Sequence, residues 1–214
     1  MLSTPAAALL VLLLGAALSL LLGWKVALDN RGRVESELRR EARQLGAEVA
    51  ARIQRYQYGL SGARGAISSN GEHGISRARF RTYIRSQDAS IEYPGLLGFG
   101  YIRRVPQPQV ADFERRERED GVPDFTVHQL RPHDGERAVV VYFEPDQDSR
   151  PAIGLDIASE PGRRAAAESS MRGGQARLSG PIALMPRPEG KAQAFLLLLP
   201  VYRGGVTPAT EEER

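Results

Sequence analysis

The chain has 214 residues, 42% of them hydrophobic and 26% charged, with a formal net charge of +3. These are globular values, enough for one folded domain of ordinary core size plus an appendage, so disorder is not the default. A balance of 29 basic against 26 acidic residues argues against a nucleic-acid face, and the absence of cysteine excludes disulfides, thiol catalysis and cysteine-held metals.

No residue from Met1 to Trp24 is charged, and "AAALLVLLLGAALSLLLGW" is almost wholly apolar. A helix of about 20 such residues spans a hydrocarbon core of roughly 30 Å, so residues 1–24 are read as a transmembrane anchor. A cleavable signal peptide is the rival, but its basic start and small-residue cleavage site are missing. Lys25, Arg31 and Arg33 follow the span, and the positive-inside rule alone would place that side in the cytoplasm.

Residues 25–68 read as one long stalk helix. Leu38, Ala42, Leu45, Val49, Ile53, Tyr56 and Leu60 recur at helical spacing and keep one face apolar among Arg and Glu. Leu38, Val49 and Leu60 repeat every 11 residues, the period of a nearly straight bundle, and the stripe outruns what one small domain can cover. A homodimer through this helix is therefore expected. "SSNGEHG" breaks the helix, and "SRARFRTYIRSQDAS" follows as a short amphipathic helix with Phe80, Tyr83, Ile84 and Gln87 on one face.

"LLGFGYIRRV" reads as a strand ended by Pro106, and "QPQVADFERRERED" as a helix with Val110 and Phe113 inward. "DFTVHQL" and "RAVVVYF", joined by the polar hairpin "RPHDGE", read as strands, as does "AIGLDIA". Ser159-Glu160-Pro161 opens a helix, with serine as a possible cap and proline tolerated in the first turn, and Gly173-Gly174 closes it. "ARLSGPIALM" and "AFLLLLPVY" are two more apolar runs of strand length, separated by Pro186, Pro188 and Gly190. The fold class is α+β, an antiparallel sheet flanked by helices in a PAS-like arrangement over residues 76–203. Residues 204–214, "GGVTPATEEER", read as the start of a truncated C-terminal segment, and the chain as a piece of a larger receptor.

Five of these pieces, "GFGYIRRVP", "VVYFEP", "IGLDIASEPGRR", "LSGPI" and "LLLLPVY", occur in an order that resembles the CHASE domain. That family supplies the extracytoplasmic sensing module of receptor histidine kinases and diguanylate cyclases. The resemblance implies a PAS-like pocket for a small molecule, a sensor on the periplasmic side of the inner or plasma membrane, and an output domain outside this chain. On orientation the resemblance is preferred to the charge rule. In the plant cytokinin receptors, an aspartate in the loop before the "IGLDIA"-like strand and a threonine in the "LSGPI"-like strand hold the hormone. Ser179 matches the threonine with a hydroxyl retained; Asp148 is the nearest match to the aspartate, and loop length leaves Asp146 open. Tyr142, Phe99 and Tyr101 are strand aromatics that could line the same pocket, although core packing suits each better.

Other constellations point to no chemistry. "GLLGFG" lacks the context of a phosphate-binding loop, no Gly-x-Ser-x-Gly elbow occurs, and His73, His128 and His133 lack a ligand pattern. The expectation is a chain without catalytic machinery, metal or cofactor. Asp156, an acid inside an apolar run, needs a partner, and Arg163 or Arg164 is the expected one. Two functions follow: a small-molecule-sensing input domain, or a membrane-tethered interaction module without a ligand, with a small closed pocket and a large exposed apolar patch.

Overall fold

A computed structural model describes the backbone of residues 4–71, 74–145, 150–183 and 193–214, and side chains from Leu12 onward except residues 26–34, 90, 150 and 183. The chain divides into two units, residues 1–52 and 53–214. Helix α1, Thr4–Ser68, runs through both.

In the first unit, Leu12, Leu13, Leu14, Leu18, Leu20, Leu21, Leu22 and Trp24 are all exposed. The uncharged run begins before the described side chains, and among the described residues no helix is long and apolar enough to cross a membrane. Farther along, Leu38, Leu45 and Val49 are about 60% exposed, so this half of the stripe covers nothing.

In the second unit the same stripe turns inward. Tyr56 and Leu60 are half-buried against the core, and Ala63 and Ile67 are buried. Glycine makes this close approach feasible: a Cβ at Gly59 would lie 2.8 Å from the Tyr93 ring and 3.0 Å from Phe99. The helix ends where Ser69 and Asn70 both return side-chain hydrogen bonds to the Ala66 carbonyl. Helix α2, Arg77–Arg85, is capped by Ser76, whose hydroxyl accepts from the Arg79 N–H, and buries Phe80 and Ile84. A single turn, α3, Ala89–Glu92, precedes strand β1, Phe99–Val105. Helix α4, Val110–Glu119, turns Phe113 into the core, as its spacing predicts.

Strand β3, Arg137–Glu144, is the centre of the sheet and pairs antiparallel with β1. The register shifts between Tyr101, opposite Tyr142, and Ile102, opposite Val140, leaving Val141 as the extra residue of a bulge. The bulge turns both Val141 and Tyr142 toward the cluster holding Phe80, Phe99 and Phe113, whereas Val140 joins Leu155 and Ile157 in a second cluster.

The rest of the sheet is shorter than the sequence suggests. Strand β2, His128–Gln129, and strand β4, Leu155–Asp156, have two residues each and pair in parallel, giving the order β1-β3-β4-β2. "AIGLDIA" is thus not a full strand. Gly154 at φ +83° bends its start, and residues 157–159 coil into a 3-10 turn with Asp156 as the cap. Helix α5, Pro161–Gly173, follows. Its cap is Glu160 rather than Ser159: the carboxylate accepts the N–H groups of Gly162 and Arg163, while the Ser159 hydroxyl bonds Asp156 and Leu130. Gly174, at φ +66°, closes the helix as expected.

The two C-terminal apolar runs do not extend the main sheet. They break into β5, Arg177–Leu178, paired with β8, Leu197–Leu198, and β6, Ile182–Ala183, paired with β7, Gln193–Ala194. Pro181, which has no N–H for a ladder, separates β5 from β6. The observed class is α+β with a sheet rich in antiparallel pairing.

Candidate functional site

Of the residues singled out for ligand binding, three come together. Phe99, Tyr101 and Tyr142 belong to one aromatic cluster, with ring centroids of Tyr101 and Tyr142 5.6 Å apart and Phe80 5.6 Å from Tyr142 on another side. The Tyr142 hydroxyl donates to the Ile75 carbonyl at 3.2 Å, and burial pushes its pKa up to about 12. Arg77 lies over the same ring, 4.6 Å from the centroid, donates to the Val141 carbonyl and pairs with buried Glu117 at 3.1 Å. Desolvation raises the Glu117 pKa, and Arg77 partly opposes that rise. Among the described residues this cluster is packed core.

Ser179 lies apart from these aromatics in the hydrogen-bond network. It is buried beside the β5–β8 ladder, where its hydroxyl donates to the Gly180 carbonyl and accepts from the Leu196 N–H at 2.9 Å. A hydroxyl has one donor and two acceptor positions, so a single lone pair remains for anything else. Asp146 and Asp148 lie outside the described residues, as do Pro186, Pro188, Gly190 and His73.

Sequence reasoning missed the densest polar centre, which forms around Asp156. This carboxylate is fully buried. Its Oδ1 accepts the backbone N–H groups of Ala138 and Ala158, at 2.9 and 3.0 Å; its Oδ2 accepts from Gln129 Nε2 at 3.1 Å and from His133 Nε2 at 2.7 Å. The other ring nitrogen of His133 accepts the Gly135 N–H, an obligatory donor, which fixes the proton on Nε2. Arg137 stands 3.9 Å away through Nε and donates through Nη1 to the carbonyls of His133 and Gly135. Asp156 therefore pairs with neither Arg163 nor Arg164, since Arg164 turns its Nε to the Ala158 carbonyl at 2.6 Å. An acid in an apolar run was the signal, but three of its four donors lie 18 to 27 residues upstream.

Beside this network, and lined in part by its own His133, Arg137, Ala138 and Ala158, a cleft of about 200 Å³ opens between the β1–β3 edge and α5. Arg104, Arg137 and Arg164 provide its cations, Glu136 and Glu168 its acids, and Ala158, Ala167 and Met171 part of its apolar wall. None of the four described residues expected to bind ligand lines it.

A family model for the CHASE domain matches residues 73–214, about two-thirds of the chain. The chain belongs to the CHASE domain family. No curated protein matches it significantly. CHASE domains are the extracytoplasmic sensor inputs of signalling receptors, and the resemblance carried by "GFGYIRRVP" through "LLLLPVY" identifies the right family. The matched region takes in α2 to α5, every described strand, the Asp156 network and the cleft.

Proposed function

We propose that this chain is the small-molecule-sensing input of a membrane-bound receptor, anchored through residues 1–24, with its CHASE domain on the periplasmic side. The output, a histidine kinase or diguanylate cyclase activity, belongs to the larger protein, and the chain itself binds rather than catalyses. The supporting observation is the seating of α1 in the CHASE core at Gly59, against Tyr93 and Phe99. A ligand that binds two arrangements of that core with different affinity shifts their populations, and the helix packed into the core moves with them.

In this reading the ligand is held by Asp148 or Asp146 together with Ser179, whose remaining lone pair makes it an acceptor. The exposed stripe of Leu38, Leu45 and Val49 takes the same stripe of a second copy, because its 11-residue repeat suits a straight helix pair. A second reading, an interaction module without a ligand, draws on Leu178 and Phe195, which are 48% and 54% exposed near the β5–β8 ladder. Thermal shift separates the two with a panel of small molecules that carry no carboxylate, adenine derivatives among them. A ligand that raises the midpoint of the parent, but not of the Asp148→Ala, Ser179→Val double variant, supports the sensing assignment. Equal response by a folded double variant refutes the site, and a panel without any response favours the interaction module.

A further inference from the structure

We propose that the cleft between the β1–β3 edge and α5 is a second ligand site, specific for a small monocarboxylate with a short apolar tail. Ser179 does not line it, and the proposal stands whether or not the Asp148–Ser179 assignment does.

The argument begins with which cations are already engaged. Arg104 is paired with Glu136, its Nε 2.7 Å from Oε2. Glu168 is drawn 3.6 Å from Arg172, one helical turn on. Arg137 uses Nη1 on two carbonyls and faces Asp156 with Nε. Arg164 uses Nε on the Ala158 carbonyl, and its two terminal amino groups have no acceptor among the described residues. Arg137 and Arg164 together carry two positive charges beside the single buried negative charge of Asp156. A single guanidinium fork left open at Arg164, with Glu136 and Glu168 also on the rim, suits a monoanion better than a phosphate dianion.

Shape and chemistry narrow the choice further. A guanidinium presents planar paired donors that fit a carboxylate. The methyls of Ala158 and Ala167 and the Met171 thioether offer an apolar wall to the other end of a ligand. Taking about 30 Å³ for each water-sized group, about 200 Å³ holds roughly six or seven heavy atoms. A four-carbon acid has that size. Asp156 also orients this site: by fixing the Ala138 and Ala158 backbone, it places the carbonyl that holds Arg164.

The test is titration of the full chain in detergent with butyrate, its neutral isostere butyramide and inorganic phosphate, followed by calorimetry and thermal midpoint. Butyrate is expected to bind and raise the midpoint, with butyramide and phosphate at least tenfold weaker. Arg164→Gln should weaken butyrate at least tenfold, Arg164→Lys less, and the Asp148→Ala, Ser179→Val pair not at all. Glu168→Gln, an exposed change that leaves the fold alone, should tighten butyrate several-fold by removing a repelling carboxylate from the rim. Equal binding of butyramide, tighter binding of phosphate, parent-like affinity in a folded Arg164→Gln chain, or an unchanged affinity in Glu168→Gln would each overturn the proposal.

Discussion

Replacing Asp156 tests whether the buried carboxylate organises this half of the domain. In Asp156→Ala four donors lose their acceptor: the N–H groups of Ala138 and Ala158, Gln129 Nε2 and His133 Nε2. The two side chains can turn toward water, but the backbone amides are held by β3 and the 157–159 turn. At about 1–3 kcal/mol for each buried donor left unmet, the loss is about 2–6 kcal/mol. Asp156→Asn separates the two oxygens. An amide oxygen in the Oδ1 position keeps both backbone bonds, while an NH₂ in the Oδ2 position faces the donors of Gln129 and His133. Gln129 can flip, but His133 cannot exchange tautomers, because Gly135 already donates to its Nδ1. The expected loss for Asn is about 1–3 kcal/mol, a single unmet donor pair. With an m value of about 2 kcal/mol/M, the urea midpoint falls by about 1–3 M for Ala and about 0.5–1.5 M for Asn. Near-UV circular dichroism is the right probe, because Tyr93 and Tyr142 are buried in this domain and the only tryptophan, Trp24, is exposed in the other unit. Coincident midpoints for the two variants, or an Ala variant within about 0.3 M of the parent, would refute the assignment of the two oxygens.

Two further outcomes follow from the same structure. Glu160 caps α5, and the N–H bonds from Gly162 and then Arg163 hold its carboxyl below the ordinary value of 4.5. Its contribution is therefore complete above that value and disappears as pH falls through the lower folded value. Glu160→Ala should cost about 0.5–2 kcal/mol in neutral denaturant melts, with the two curves converging in acid; a gap that persists at low pH would assign the loss to something other than the charged cap. For the stalk, the absence of native cysteine makes a single introduced thiol unambiguous. Leu45→Cys should give an oxidised dimer on a gel while Arg43→Cys, off the stripe, gives much less; equal yields from both would remove the stripe as the dimer face.

What the sequence made legible follows the range of the forces involved. The α1 stripe, the Phe113 face of α4 and the glycine stop of α5 are set by neighbours three or four residues away, and each lies where its periodicity or turn chemistry predicts. The run around β3 was legible because four successive buried residues, Val139 to Tyr142, leave few alternatives to a central strand. "ARLSGPIALM" and "AFLLLLPVY" misled because apolarity records burial and not ladder length; Pro181, without an N–H, stands between the two-residue β5–β8 pairing and β6. The need of Asp156 for a partner was readable, its identity was not. His133 and Gln129 reach it only because β2 lies parallel to β4, a pairing that no local pattern announces.

The glycines of α1 carry the argument one step further. Glycine within a helix costs about 1 kcal/mol relative to alanine, and α1 has it at positions 59 and 62, inside the stretch that enters the core. A helix serving only as a spacer gains nothing from that cost. Here the room is occupied: the Tyr93 and Phe99 rings fill the space at Gly59, and the Tyr83 hydroxyl would lie 2.5 Å from a Cβ at Gly62. Phe99 is the first residue of β1 and packs edge-on against Tyr93 at 5.4 Å, so the contact runs from the sheet edge to the helix without a flexible link. Interlocked packing of this kind transmits displacement, because a close-packed core has no void to absorb it. Any rearrangement of β1 must therefore either move α1 or break the aromatic contact, which is the mechanical requirement for a sensor that reports through a helix.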